Sequence, residues 1–173
     1  MSRHRYPLAR RAAALIAVGA LSACTTLSEV PPGAALGEVT AQFGLPNFEC
    51  ERPDGTHRVI WSMQPLGQYA WGTDLLPDGR TAQVVPILTD AYFKQRLALG
   101  MTAEQVRCEF GPPAEVSGVG LPSVRQTVWA YRYKQSGVWN SLMYVYMGRD
   151  GDQVTRFHPG PDPLYDEDRW FWR

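Results

Sequence analysis

Apolar positions in the second half of the chain switch from a helical spacing to a strand spacing, and the switch is bounded by glycine and proline. Tyr92 to Leu99 reads as a short helix that ends at Gly100. Thr102 with Gln105 three residues on has the form of a capping box, and Ala103, Val106 and Phe110 then fall on one helical face. Gly111 can adopt the left-handed stop, and Pro112-Pro113 forbids continuation. Beyond the prolines the residues become aromatic and β-branched. Val124 to Tyr133, Leu142 to Met147 and Val154 to His158 read as three antiparallel strands, broken at Ser136-Gly137 and Asp150-Gly151, while Ser117-Gly118 reads as a turn.

The same pattern occurs earlier. Gly33 to Pro46 aligns with Gly100 to Pro113 without a gap, at a constant offset of 67. Trp61 then parallels Trp129, and Asp78-Gly79 before Val84 parallels Asp150-Gly151 before Val154. In this first copy the opening helix shrinks to Leu27 to Val30, cut short by Pro31-Pro32. The expected fold is α+β: two tandem units, residues 24–88 and 89–160, each with two short helices packed on a three-stranded antiparallel sheet, followed by an acidic and aromatic tail, 161–173. A unit of about 65 residues buries a marginal core, so the copies are expected to share an interface or one continuous sheet. Pro86-Ile87-Leu88-Thr89 between them lacks linker character, which predicts a rigid tandem.

The first 23 residues have a different pattern. Arg3, Arg5, Arg10 and Arg11 precede an uncharged apolar run, Ala12 to Ala20, too short to span a bilayer, which needs about 20 such residues. A cationic leader, a short apolar run and small residues before a cut site mark a secretory signal peptide. Leu21-Ser22-Ala23-Cys24 resembles the lipobox of bacterial lipoproteins, which implies cleavage before Cys24 and lipid on its thiol. Two or three acyl chains hold a protein stably at a membrane, so lipid on Cys24 would replace a transmembrane helix. Thr25, in place of an aspartate after the cysteine, resembles the pattern for forwarding to the outer membrane, facing the periplasm.

Charge and chemistry narrow the function. The chain has 17 Lys and Arg and 17 Asp and Glu; four Arg leave with the leader, so 13 basic residues remain against 17 acidic ones. A mildly acidic surface has no cation patch for phosphate, which argues against nucleic acid. Cys50 and Cys108 either pair as one disulfide or stand as separate buried thiols. His57, in Asp54-Gly55-Thr56-His57, reads as a solvated turn residue, as does His158 before Pro159-Gly160-Pro161. No His/Cys spacing suits a metal, no G-x-S-x-G elbow or glycine-rich phosphate loop occurs, and Asp162 to Asp168 reads as a solvated tail. The sequence therefore predicts a protein that is not an enzyme and takes no cofactor.

Gly100-Met101-Thr102 with Gln105-Val106, Phe110-Gly111-Pro112-Pro113 and the Trp129-Ala130-Tyr131 strand resemble the SmpA/OmlA (BamE-like) domain of small outer-membrane lipoproteins, over Ala91 to His158. The tandem duplication resembles the architecture of the β-lactamase inhibitor protein family. In the first copy Ala34-Ala35 replaces Met-Thr, and the insert Gln64 to Gly72 has no counterpart in the family pattern. The resemblance implies a scaffold or assembly factor that binds envelope proteins, including the β-barrel assembly machinery; its alternative is an inhibitor or binding module directed at a periplasmic enzyme. Trp129, Tyr131, Tyr144 and Tyr146 are expected to cap the small cores. Partner or membrane-interface contact is expected at Tyr69 and Trp71 in the insert, at Trp139, and at the terminal Trp170, Phe171 and Trp172.

Overall fold

The computed structural model describes residues 26–165, so Cys24 and Trp170, Phe171 and Trp172 lie outside the described residues. A 3-10 turn, Leu27–Glu29, leads to helix α1 (Leu36–Phe43) and strands β1 (Phe48–Glu51), β2 (His57–Ser62), β3 (Ala70–Asp74) and β4 (Val85–Pro86). Helices α2 (Asp90–Arg96) and α3 (Ala103–Phe110) follow, then β5 (Glu115–Val119), β6 (Gln126–Gln135), β7 (Trp139–Tyr146) and β8 (Arg156–Pro161). Each run of four strands forms its own antiparallel sheet, in the order β1-β2-β3-β4 and β5-β6-β7-β8.

The duplication is visible in the backbone. Helices α1 and α3 occupy corresponding stretches, and Gly33 and Gly100 each enter them at φ 81°. Gly33 N–H donates to Thr81 O at 2.7 Å and Thr81 N–H to Ala34 O at 2.9 Å; Gly100 N–H donates to Val154 O and Val154 N–H to Met101 O, both at 2.8 Å. Either chain crossing ties the helix start to the segment leading into the fourth strand. Both crossings need a left-handed residue, and glycine takes that conformation without steric cost.

Two expectations are corrected. The sheets have four strands rather than three; in the second the added strand is β5, which runs through Ser117-Gly118, a pair the sequence presents as a turn. The first unit has one α-helix and a 3-10 turn in place of two helices. Of the two arrangements expected between the copies, the structure has the shared interface: the sheets are separate, and one core and one disulfide join the units. Strand β8 also passes His158 and includes Pro159 and Pro161; it is an edge strand, where a missing N–H leaves no ladder bond unmade.

The layers interleave the two copies. Val59 and Trp61 of β2 pack with Leu27, Val30, Val39 and Val84 on the α1 side of the first sheet. The neighbouring Ile60, with Ala70, Ile87 and Leu88, turns the other way and joins Phe93 and Phe110 of the second unit's helices and Trp129, Tyr131 and Tyr133 of β6 in the larger core. Helices α2 and α3 thus lie between both sheets. Period-2 alternation along β2 is what lets one strand serve two cores.

Covalent and polar contacts lock that arrangement. Cys50 of β1 and Cys108 of α3 form a disulfide, Cα–Cα 5.7 Å, which joins the two units. Beside it, Glu109 receives Arg52 Nη2 at 2.7 Å and Arg96 Nε at 3.3 Å, while Arg58 donates to Asp74 at 2.8 Å and to the Tyr92 hydroxyl at 2.7 Å. Burial alone would lower the Arg52 pKa, but the Glu109 and Asp74 carboxylates more than reverse that and raise it. Gln64 of the insert reaches the free edge of β6 beyond β5: its Nε2 donates to Arg132 O at 2.8 Å and its Oε1 accepts Arg132 N–H at 3.2 Å.

Candidate functional site

The strongest cluster of charged side chains, Arg52, Arg58, Asp74, Tyr92, Arg96 and Glu109, is spent internally. Arg58 is buried and its guanidinium is held by Asp74 and Tyr92 from two elements. Burial pushes the Tyr92 phenol up, so it stays neutral and donates to Glu109 at 3.4 Å. Such a network positions one unit on the other. Among the described residues, no group of three or more His, Cys, Asp and Glu is placed to hold a metal ion.

The outer face of the second sheet is different. Cross-strand pairing puts Val128, Ala130, Tyr144, Tyr146 and His158 on the face opposite Trp129, Tyr131, Met143 and Val145. None of those five residues belongs to either core cluster. Tyr144 and Tyr146 are half-buried and His158 is exposed. The Tyr146 hydroxyl and His158 Nε2 share a hydrogen bond at 3.1 Å, and the Arg156 guanidinium lies 3.9 Å from the Tyr146 ring centroid. The Tyr144 ring crosses Gly160, where a Cβ would come within 2.9 Å of it, so glycine is what allows the ring to lie over the strand. Burial, then the Glu115 and Asp162 carboxylates, push the Tyr144 phenol up, which keeps it a neutral donor.

Three expectations change here. Tyr144 and Tyr146 are surface residues of this face, not core; Met143, Val145 and Met147 fill the core in their place. Both alternating sets of β7 are apolar enough to be buried, so alternation alone left the face undecided. Asp162 is not in a solvated tail: its side chain is fully buried and meets Arg132 Nε at 2.9 Å, while Arg132 also pairs with Glu115. His57 opens β2 and lies 3.2 Å from Glu49 across the strand pair, rather than in the turn before it.

The aromatic candidates are spread over the molecule. Tyr69 and Trp71 stack at 5.9 Å between centroids at the insert end of the first sheet. Trp139 opens β7 and is 69% exposed. The Gln68–Asn140 hydrogen bond, 2.7 Å, brings the insert and the β6–β7 hairpin to the same end of the molecule. No family of known proteins matches the chain, and no curated protein or solved structure matches it either.

Proposed function

We propose that this chain is a lipid-anchored, periplasm-facing lipoprotein of the outer membrane, a tandem of SmpA/OmlA-like units that binds envelope proteins of the barrel-assembly type without catalysing a reaction. The observation that carries the reading is the aromatic outer face of the second sheet on a framework locked across both units. Two phenols, an imidazole and a guanidinium over small residues form a surface rich in the side chains that dominate binding hot spots. A rigid frame lowers the ordering cost of docking. The inter-unit disulfide suits an oxidising compartment, in agreement with the cationic leader and the lipobox ahead of Cys24.

The test is photo-crosslinking in the native envelope with the crosslinker at Tyr144 or at Tyr146, in the wild-type background and with Cys24→Ala. Recovery of barrel-assembly components, lost with Cys24→Ala, is the expected result. Recovery of one soluble periplasmic enzyme, unaffected by Cys24→Ala, would instead establish the second reading, an inhibitor, which the tandem duplication favours. Recovery of neither would remove both.

A further inference from the structure

A second surface is apolar, uncharged and placed where the chain enters the fold. Leu27, Leu45, Met63 and Trp71 line a shallow groove at the insert end of the first sheet, on the α1 side, and none of the described residues lining it is acidic or basic. Leu45 is 82% exposed, Met63 54% and Tyr69 47%. Met63 N–H donates to Tyr69 O at 2.9 Å, which sets the two side by side, next to the Trp61–Trp71 pair. The Trp71 indole N–H already donates to Ser28 Oγ and that of Trp61 to Gly44 O, both at 2.9 Å. Covering this surface with hydrocarbon would therefore strand neither indole donor.

We infer that this surface lies on the bilayer that anchors the chain, with Leu45 and Met63 at the acyl boundary and Tyr69 and Trp71 at headgroup level. The inference rests on the lipoprotein reading, and chain geometry selects the occupant. Thr26 is two residues from Cys24, and a chain spans at most about 3.6 Å per residue, so a lipid on Cys24 is held within about 7 Å of the start of the fold. Leu27, the next residue, is itself part of the groove. A protein surface resting in the interface sinks about 5–10 Å into the boundary, a depth this short tether permits. Tyrosine and tryptophan are enriched at that level. The acyl chains and the groove then act as two linked contacts, and the outer face of the second sheet is held at a defined orientation to the membrane.

The experiment uses the mature chain from Cys24 with its disulfide intact, which leaves Cys24 as the single free thiol of the three cysteines. Coupling Cys24 to a maleimide lipid in phosphatidylethanolamine–phosphatidylglycerol vesicles replaces biological acylation; coupling to a soluble maleimide is the reference. Hydroxyl-radical footprinting read by mass spectrometry should show oxidation of Leu45, Met63 and Tyr69 reduced roughly fivefold or more on vesicles, as expected of side chains withdrawn into the interface, with the exposed Leu121 and Val124 unchanged. The exposed-residue variant Leu45→Ser/Met63→Ser/Tyr69→Ser should lose the protection of Trp71. Equal oxidation of Met63 in both couplings, or protection of Leu121 instead, would overturn the inference. The mass of Cys24 in chain taken from the native envelope separates the two premises: an unmodified thiol sinks the lipoprotein reading and this inference together, whereas acylated Cys24 with an unprotected Met63 sinks this inference alone.

Discussion

The two units share a backbone plan and differ in what holds it. In the second, α3 starts at Thr102 with both halves of a capping box formed, and α2 starts at Thr89, whose side chain accepts Tyr92 N–H. In the first, α1 starts at Ala35 with no side-chain cap, and a 3-10 turn stands where α2 would be. The core on its α1 side holds six buried side chains, whereas Ile60, Ala70, Ile87 and Leu88 are placed in the larger core built around the other unit's helices. A duplicated unit can lose a cap and a helix when its partner's helices cover its sheet. The second unit acts as the scaffold, and the first is folded onto it.

Truncating the shared core is the most severe way to break that relation. Phe110 is fully buried, stacks on Phe93 at 5.0 Å and sits in the cluster that includes Ile60 of the first sheet. Phe110→Ala should cost about 3–5 kcal/mol, shifting a single urea transition reported by both units. Leu27→Ala should cost about 2 kcal/mol, the low end of such truncations, and raise amide exchange in the first unit alone. Two separate transitions in Phe110→Ala would show that the first unit stands by itself.

The disulfide comes next. Cys50 and Cys108 are 58 residues apart in sequence, and closing a loop of that size typically stabilises by about 2–4 kcal/mol. Cys50→Ala/Cys108→Ala should lower the urea midpoint accordingly, with the first unit exchanging fastest. Unchanged stability in the double variant would mean that the ion network around Glu109 suffices to dock the units.

A third difference is chemical. Tyr131 and Tyr133 are fully buried in the larger core, whereas the cluster on the α1 side has no tyrosine. Burial pushes both phenols up, and Asp90, which accepts the Tyr133 hydroxyl at 3.1 Å, pushes Tyr133 further. The folded state then keeps protons that the unfolded chain releases near pH 10. Their contribution is complete below that pH and is lost as pH rises towards the folded values, at about 1.4 kcal/mol per pH unit for each phenol. Urea titrations between neutral and strongly alkaline pH should show this slope, and Tyr131→Phe should flatten it by one proton. A slope unchanged by Tyr131→Phe would place the alkaline sensitivity elsewhere.

What the sequence made legible was local. The capping residues, the stop glycines and the offset between copies gave α3, α1 and the tandem order, because each depends on neighbours within a few positions. Strand β5 was illegible: Glu115 to Val119 is exposed throughout and carries Ser117-Gly118, so neither alternation nor composition marks it. The aromatic face was half legible. Tyr144 and Tyr146 were visible as residues, but their side of the sheet depends on pairing with β6 and β8. The Arg132–Asp162 pair joins residues 30 positions apart, and only the fold brings them together. Interleaving of the cores was hidden for the same reason, since β2 puts Val59 and Trp61 on one face and Ile60 on the other, and the sequence does not say what lies on either side.

The smallest effect tests the comparison most directly, because it repairs the first unit instead of damaging the second. Ala35 has extended backbone, φ −67° and ψ 130°, close to the −71° and 160° of Thr102. Glu38 occupies the position that Gln105 fills in the second copy, so Ala35→Thr would complete the Thr-x-x-Glu box. It should stabilise by about 0.5–1 kcal/mol, while Thr102→Ala should cost about 1 kcal/mol, both read from urea midpoints. The signs should be opposite if the two helix starts are equivalent. Failure of Ala35→Thr to stabilise, with Thr102→Ala behaving as expected, would mean that the two helix starts are not equivalent, although each makes the same kind of bridge, Ala35 with Arg80 and Thr102 with Gln153.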